Sequence, residues 1–69
     1  MTTAIMNKQI KSEACEMIQT AIANMDEHNM EQLSQIIIDA ATAMNRAAIH
    51  EYSSAENELA ACKRRLARI

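Results

Sequence analysis

A chain of 69 residues with net charge −2, one tyrosine as its sole aromatic, and neither glycine nor proline is a single all-α domain over residues 1–69. Without glycine it lacks the means for a phosphate loop, an oxyanion turn or a nucleophile elbow, and its size disfavours a substrate pocket, so no enzyme is expected. The longest apolar run, Ile36 to Ile38, is too short for a membrane span, no signal-peptide h-region opens the chain, and two cysteines without CxxC spacing fit a reducing compartment, so a cytoplasmic protein is expected.

The first helix is expected over about residues 4–26. Thr2 or Thr3 is available as its N-cap. Its apolar stripe is Ile10, Ala14, Met17, Ile18, Ala21, Ile22 and Met25, with Cys15 at one margin. The polar run Asp26-Glu27-His28-Asn29 reads as a turn. Asn29 is then the N-cap of the next helix and Gln32 its N3 partner in a capping box. So short a connection makes the two helices antiparallel neighbours.

From Met30 to Ile69 apolar side chains recur every three or four positions: Leu33, Ile37, Ala40, Ala41, Met44, Ala47, Ala48, Tyr52, Ala55, Leu59, Cys62, Leu66 and Ile69. At helical periodicity they fall in a stripe of roughly 140°. Ser53-x-x-Glu56 reads as a second capping box, which would break this segment near residues 50–54 and start a third helix at about Ala55. The stripes on either side of that point keep nearly one phase, which favours continuity. The expected fold is an antiparallel helical hairpin with a long second helix over about 30–69; the alternative is a three-helix bundle. Cysteine oxidation separates the two. A third helix parallel to the first would bring Cys62 level with Cys15, whereas in the hairpin they lie far apart.

In the hairpin the first helix covers the second only to about Ala48. The stripe then runs on uncovered through Tyr52, Ala55, Leu59, Cys62, Leu66 and Ile69, and Ile38 and Ile49, with Tyr52 adjacent, form a second ridge on the opposite flank. Apolar helix faces of that length are seldom left in water. These residues are therefore the expected contacts for a partner protein or for a second copy in a homo-oligomer. At this size a lone core leaves only about 3–5 kcal/mol of stability, which also points to an oligomer or a partner.

Charge is distributed unevenly. Residues 59–69 hold Lys63, Arg64, Arg65 and Arg68 without an acid, while residues 1–58 set three cations against all nine acids. The basic end suits an acidic protein surface or nucleic acid. Cations in a last helical turn also simply complement the helix dipole. No aromatic is interleaved for base stacking, and the chain as a whole is acidic, so nucleic acid is the weaker expectation. His28 and His50 have no companion ligands at helical spacing, and neither a metal nor a cofactor is expected.

A first helix through Ile10 to Met25, a polar turn from Asp26 to Asn29 and a longer second helix resemble the layout of the small two-helix co-chaperones of type III secretion needle subunits. That resemblance implies a cytoplasmic adaptor that binds a helical-repeat chaperone through one amphipathic face and guards a polymerising subunit. The layout is also similar to plasmid-encoded helical hairpins that dimerise and bind RNA, although there the basic residues lie along helix faces rather than at the C-terminus.

Overall fold

Ile10, Ala14, Met17 and Ala21 are buried along one side of α1, Thr2–Asn24. Leu33, Ile36, Ala40, Ala43 and Ala47 are buried along α2, Met30–Ala48, and Ala55, Leu59 and Cys62 along α3, Tyr52–Ala67. In each helix these positions alternate by three and four, the repeat of a coiled-coil seam, so each helix turns one stripe inward. A computed structural model describes residues 2–69. Met1 and the side chains of residues 2–4, with the N-cap expected at Thr2 or Thr3, lie outside the described part.

The continuous helix expected over residues 30–69 is not formed. It is interrupted at residues 49–51, and the chain takes the three-helix alternative. His50 has φ 66°, the left-handed region. Its amide donates to the Ala47 carbonyl at 3.1 Å, and that of Glu51 donates to the Arg46 carbonyl at 2.8 Å. This pair of bonds is a Schellman motif, with His50 where glycine usually stands. The apolar contact that normally closes the motif is replaced by an ion pair between Arg46 and Glu51 at 3.5 Å. His50 Nδ1 lies 2.9 Å from the Tyr52 hydroxyl, and the two rings meet edge to face. Helix α3 starts two to three residues before the expected position, with Glu51 as its N-cap residue, and Ser53 lies inside it rather than capping it. The buried face also shifts at the break: Ala47 and Ala55 stand eight positions apart, about 80° on a continuous helix, so the core positions of α2 do not run on in phase into those of α3.

The first turn stands where expected, but its bonding differs. Asn29 precedes α2 without capping it through its side chain. Its Oδ1 instead accepts from the Asp26 amide at 2.7 Å, and its Nδ2 donates to the Asn24 carbonyl at 3.0 Å, closing the end of α1. Asp26 Oδ1 in turn accepts from the amides of His28 and Asn29. The loop is thus tied by two side chains in place of a left-handed glycine.

The three helices form an elongated body of 42 × 17 × 17 Å. Half of the twelve buried core residues are alanine, which lets helix axes approach closely but contributes little apolar area per residue. Leu33, Ile36, Ile10 and Leu59 supply most of the bulk, and Ile18, Met25, Ile37, Met44, Tyr52 and Leu66 flank them half-buried. No polar or charged side chain is buried among the described residues. At the margin of the α2–α3 seam, Arg65 Nη1 donates to Asp39 Oδ2, and Gln35 donates to the other oxygen of the same carboxylate at 3.1 Å. This pair fixes the register of α3 on α2.

Candidate partner-binding groove

The seams of the bundle are unequal. Helices α1 and α3 pack on α2 more closely than on each other. The cause lies in the side chains at the α1–α3 margin. Helix α1 presents Gln9, Ser12 and Glu13 there, and α3 presents Glu56, Ala60 and Lys63. None of these can bring a bulky apolar group across the gap. An open groove of about 990 Å³ results, floored by Met6, Ile10, Met17, Leu59 and Ala60 and flanked by Glu13, Glu56, Lys63 and Arg64. A smaller hollow of about 270 Å³ extends it over Glu16, Thr20 and Leu66. Met6 and Ile10 line the first hollow with Glu56 and Leu59, and Thr20 lines the second with Leu66, so α1 and α3 run parallel.

The residues expected to meet a partner are scattered by this arrangement. Ala55, Leu59 and Cys62 are core residues, 3% exposed or less, because α3 folds back against α1 and α2. They are not a free surface. Tyr52 and Leu66 are half-buried around them. Ile38, Ile49 and Ile69 are exposed. Ile38 lies midway along α2, Ile49 in the turn after it and Ile69 beyond α3, and Tyr52, now on α3 and half-buried, does not extend a ridge with the first two. The groove was not legible from periodicity, because Gln9, Glu13, Ala60 and Lys63 look like ordinary polar-face residues until α3 is laid beside α1.

The basic end is also divided. Lys63 and Arg64 border the groove beside Glu13 and Glu56, Arg65 is engaged with Asp39, and Arg68 is exposed past the end of α3. The pairing of Arg65 was missed in the sequence, since Asp39 stands 26 positions away. His28 lies 3.9 Å from Glu27 on the exposed turn. Among the described residues no group of three His, Cys, Asp or Glu side chains stands together as a metal site, and no helix is long and apolar enough to cross a membrane.

The bundle does bring α3 parallel to α1, yet the two thiols are not paired. Cys15 is exposed on α1, while Cys62 points into α2 with its Sγ 3.8 Å from the Ile36 carbonyl. Burial pushes the Cys62 thiol above its ordinary range; the charges of Asp39 and Glu58 add to that shift and Arg65 opposes it. At neutral pH an alkylating reagent is expected to modify Cys15 in the folded chain, and Cys62 only after unfolding, as read by mass spectrometry. The sign of the pH effect follows from the raised value. The unfolded thiol ionises first, so the Cys62 contribution to stability is complete below the ordinary thiol range and is lost as pH rises through and above it.

Compared with known proteins, the chain matches no family model, no curated protein and no solved structure. The fold and groove define it by architecture: an up-down-up three-helix bundle with one open seam.

Proposed function

We propose that this bundle is a non-enzymatic binding module, an adaptor or co-chaperone of the cytoplasm, that seats one amphipathic helix of a partner protein in the α1–α3 groove. The groove itself carries the reading. Between Met6 and Thr20 it follows α1 for about 21 Å at 1.5 Å per residue, room for some four turns of an added helix. Such a helix would lay an apolar stripe along the accessible lining of the groove, Met6, Ala60 and Ala67, above the buried Met17 and Leu59, as helix-in-groove ligands do. The rim carries both signs, Glu13 and Glu16 on α1 and Glu56, Lys63 and Arg64 on α3, so a helix with mixed charge beside its stripe fits better than a polyanion. That, and the engagement of Arg65 by Asp39, weigh against nucleic acid as the ligand. A narrower form of the proposal, taken from the resemblance to needle-subunit co-chaperones, is an adaptor of type III secretion. That resemblance rested on a short first and a long second helix, whereas the three helices here have 23, 19 and 16 residues.

Ala60 tests the reading because it is exposed and lines the groove. Ala60→Glu is expected to leave thermal unfolding within a few degrees of wild type and to weaken partner recovery from native cells by tenfold or more. Recovery equal to wild type would exclude the groove. If the purified chain instead self-associates and Ala60→Glu abolishes that, the occupant is a second copy.

A further inference from the structure

We infer that the outer face shared by α1 and α2, on a different side of the bundle from the groove, pairs with the same face of a second copy of this chain about a two-fold axis perpendicular to it. The face is located by what occupies the other flanks. On α1 the groove takes the flank of Met6, Gln9 and Glu13, so Lys8, Lys11, Cys15, Ile18 and Ile22 lie on the side of α2. On α2 the Arg65–Asp39 pair marks the flank of α3, so Met30, Ser34, Ile37, Ala41 and Met44 lie on the side of α1. Both sets repeat by three and four, as the core stripes do, so each helix carries a second seam beside its buried one. Ile18, Ile37 and Met44 are only half-buried there, Cys15 is exposed, and Ile22 and Met30 are 60% and 52% exposed.

Charge and shape name a second copy as the occupant. The antiparallel pairing of α1 and α2 puts Lys8 and Lys11 at one end of the face and Glu27 and Glu31 at the other. Among the described residues, neither lysine nor Glu31 is held in an ion pair within the chain. A two-fold axis through the middle of the face, near Cys15 and Ala41, turns the second copy end for end. Each basic end then meets an acidic one, twice per dimer, whereas a copy docked the same way up would set like charges together. The same operation lays Ile22 of each copy over Ala48 of the other, bulk against a small residue. It also leaves the small side chains of Cys15 and Ala41 at the centre, where the helices come closest. At 1.5 Å per residue the 19 residues of α2 give the face about 30 Å of length. The bundle is 17 Å wide, so the dimer covers about 500 Å² of face per copy, the low end for a specific interface, and it forms reversibly with concentration. It does not rest on the proposed groove ligand.

Sedimentation equilibrium at low ionic strength, across a concentration series, tests the inference with two charge reversals. The double variants Lys8→Glu, Lys11→Glu and Glu27→Lys, Glu31→Lys each bring like charges together in a homodimer, and each is expected to weaken it by about tenfold or more. Mixed in equal amounts, the two are complementary at both ends, and the mixture is expected to recover wild-type association. Chains that had merely lost their fold could not do so. Alkylation of Cys15 in the wild-type chain is expected to slow severalfold as the dimer fills, because that thiol sits in the covered face. Ala60→Glu, in the groove, is expected to leave the dimer unchanged, so the groove reading and this one fail separately. A wild-type chain that stays monomeric to about 1 mM, or a mixture no stronger than its components, overturns the inference. So does a dimer lost on Ala60→Glu, or one in which Cys15 reacts as fast as in the monomer.

Discussion

Leu59→Asp is expected to unfold the chain. Leu59 is 3% exposed, inside the core that α3 shares with α1 and α2. The substitution removes a leucine worth about 2 kcal/mol of burial and places a carboxylate there. An uncompensated buried charge costs several kcal/mol more, or is relieved only by taking up a proton at a comparable cost. A bundle of this size has about 3–5 kcal/mol in total. The two effects together exceed it. Far-ultraviolet circular dichroism should show most of the helical signal gone at neutral pH, without a cooperative thermal transition. If the variant keeps wild-type helicity and its transition, Leu59 lies on a free face and the single long second helix is the correct description.

Leu33→Ala should be the most damaging truncation to alanine in α2. Leu33 is fully buried, and with Ile36 and Cys62 it is among the largest side chains that are. Deleting a buried leucine costs about 2–5 kcal/mol, and the amount depends on how far the surroundings collapse into the space. Collapse is limited here. Many of the core residues, Ala14, Ala21, Ala40, Ala43, Ala47 and Ala55, have no side chain beyond Cβ with which to move inward. The expected cost therefore lies in the upper half of that range. Ile38→Ala is the control: Ile38 is 56% exposed, and its truncation should change stability by about 0.5 kcal/mol or less. Urea denaturation of the three chains gives the comparison. A Leu33→Ala midpoint close to that of Ile38→Ala would mean that the α1–α2 core is not built as described.

These costs bear on how the groove should be probed. Substitutions at Leu59 or Cys62 confound binding with folding, whereas Ala60, one residue away and exposed, reaches the same groove without entering the core. One position thus separates a structural effect from a functional one.

Read along the chain, the helical class, the turn after α1 and the inward stripe of each helix follow from local chemistry. Absence of glycine and proline leaves helix as the favoured state, and apolar spacing by three and four marks the side that must leave water. The break at residues 49–51 had a weaker signal. The capping box at Ser53 and Glu56 marked the neighbourhood but named the wrong N-cap, and no glycine announced the left-handed residue. Whether α3 continues outward or folds back depends on a comparison no local pattern contains: the area Leu59, Cys62 and Leu66 bury against α1 and α2, set against one strained residue at His50. Only the tertiary structure makes that comparison. It likewise decides that Arg65 meets Asp39 and that small or polar residues on α1 and α3 face each other across an open seam, because both facts join positions far apart in the chain.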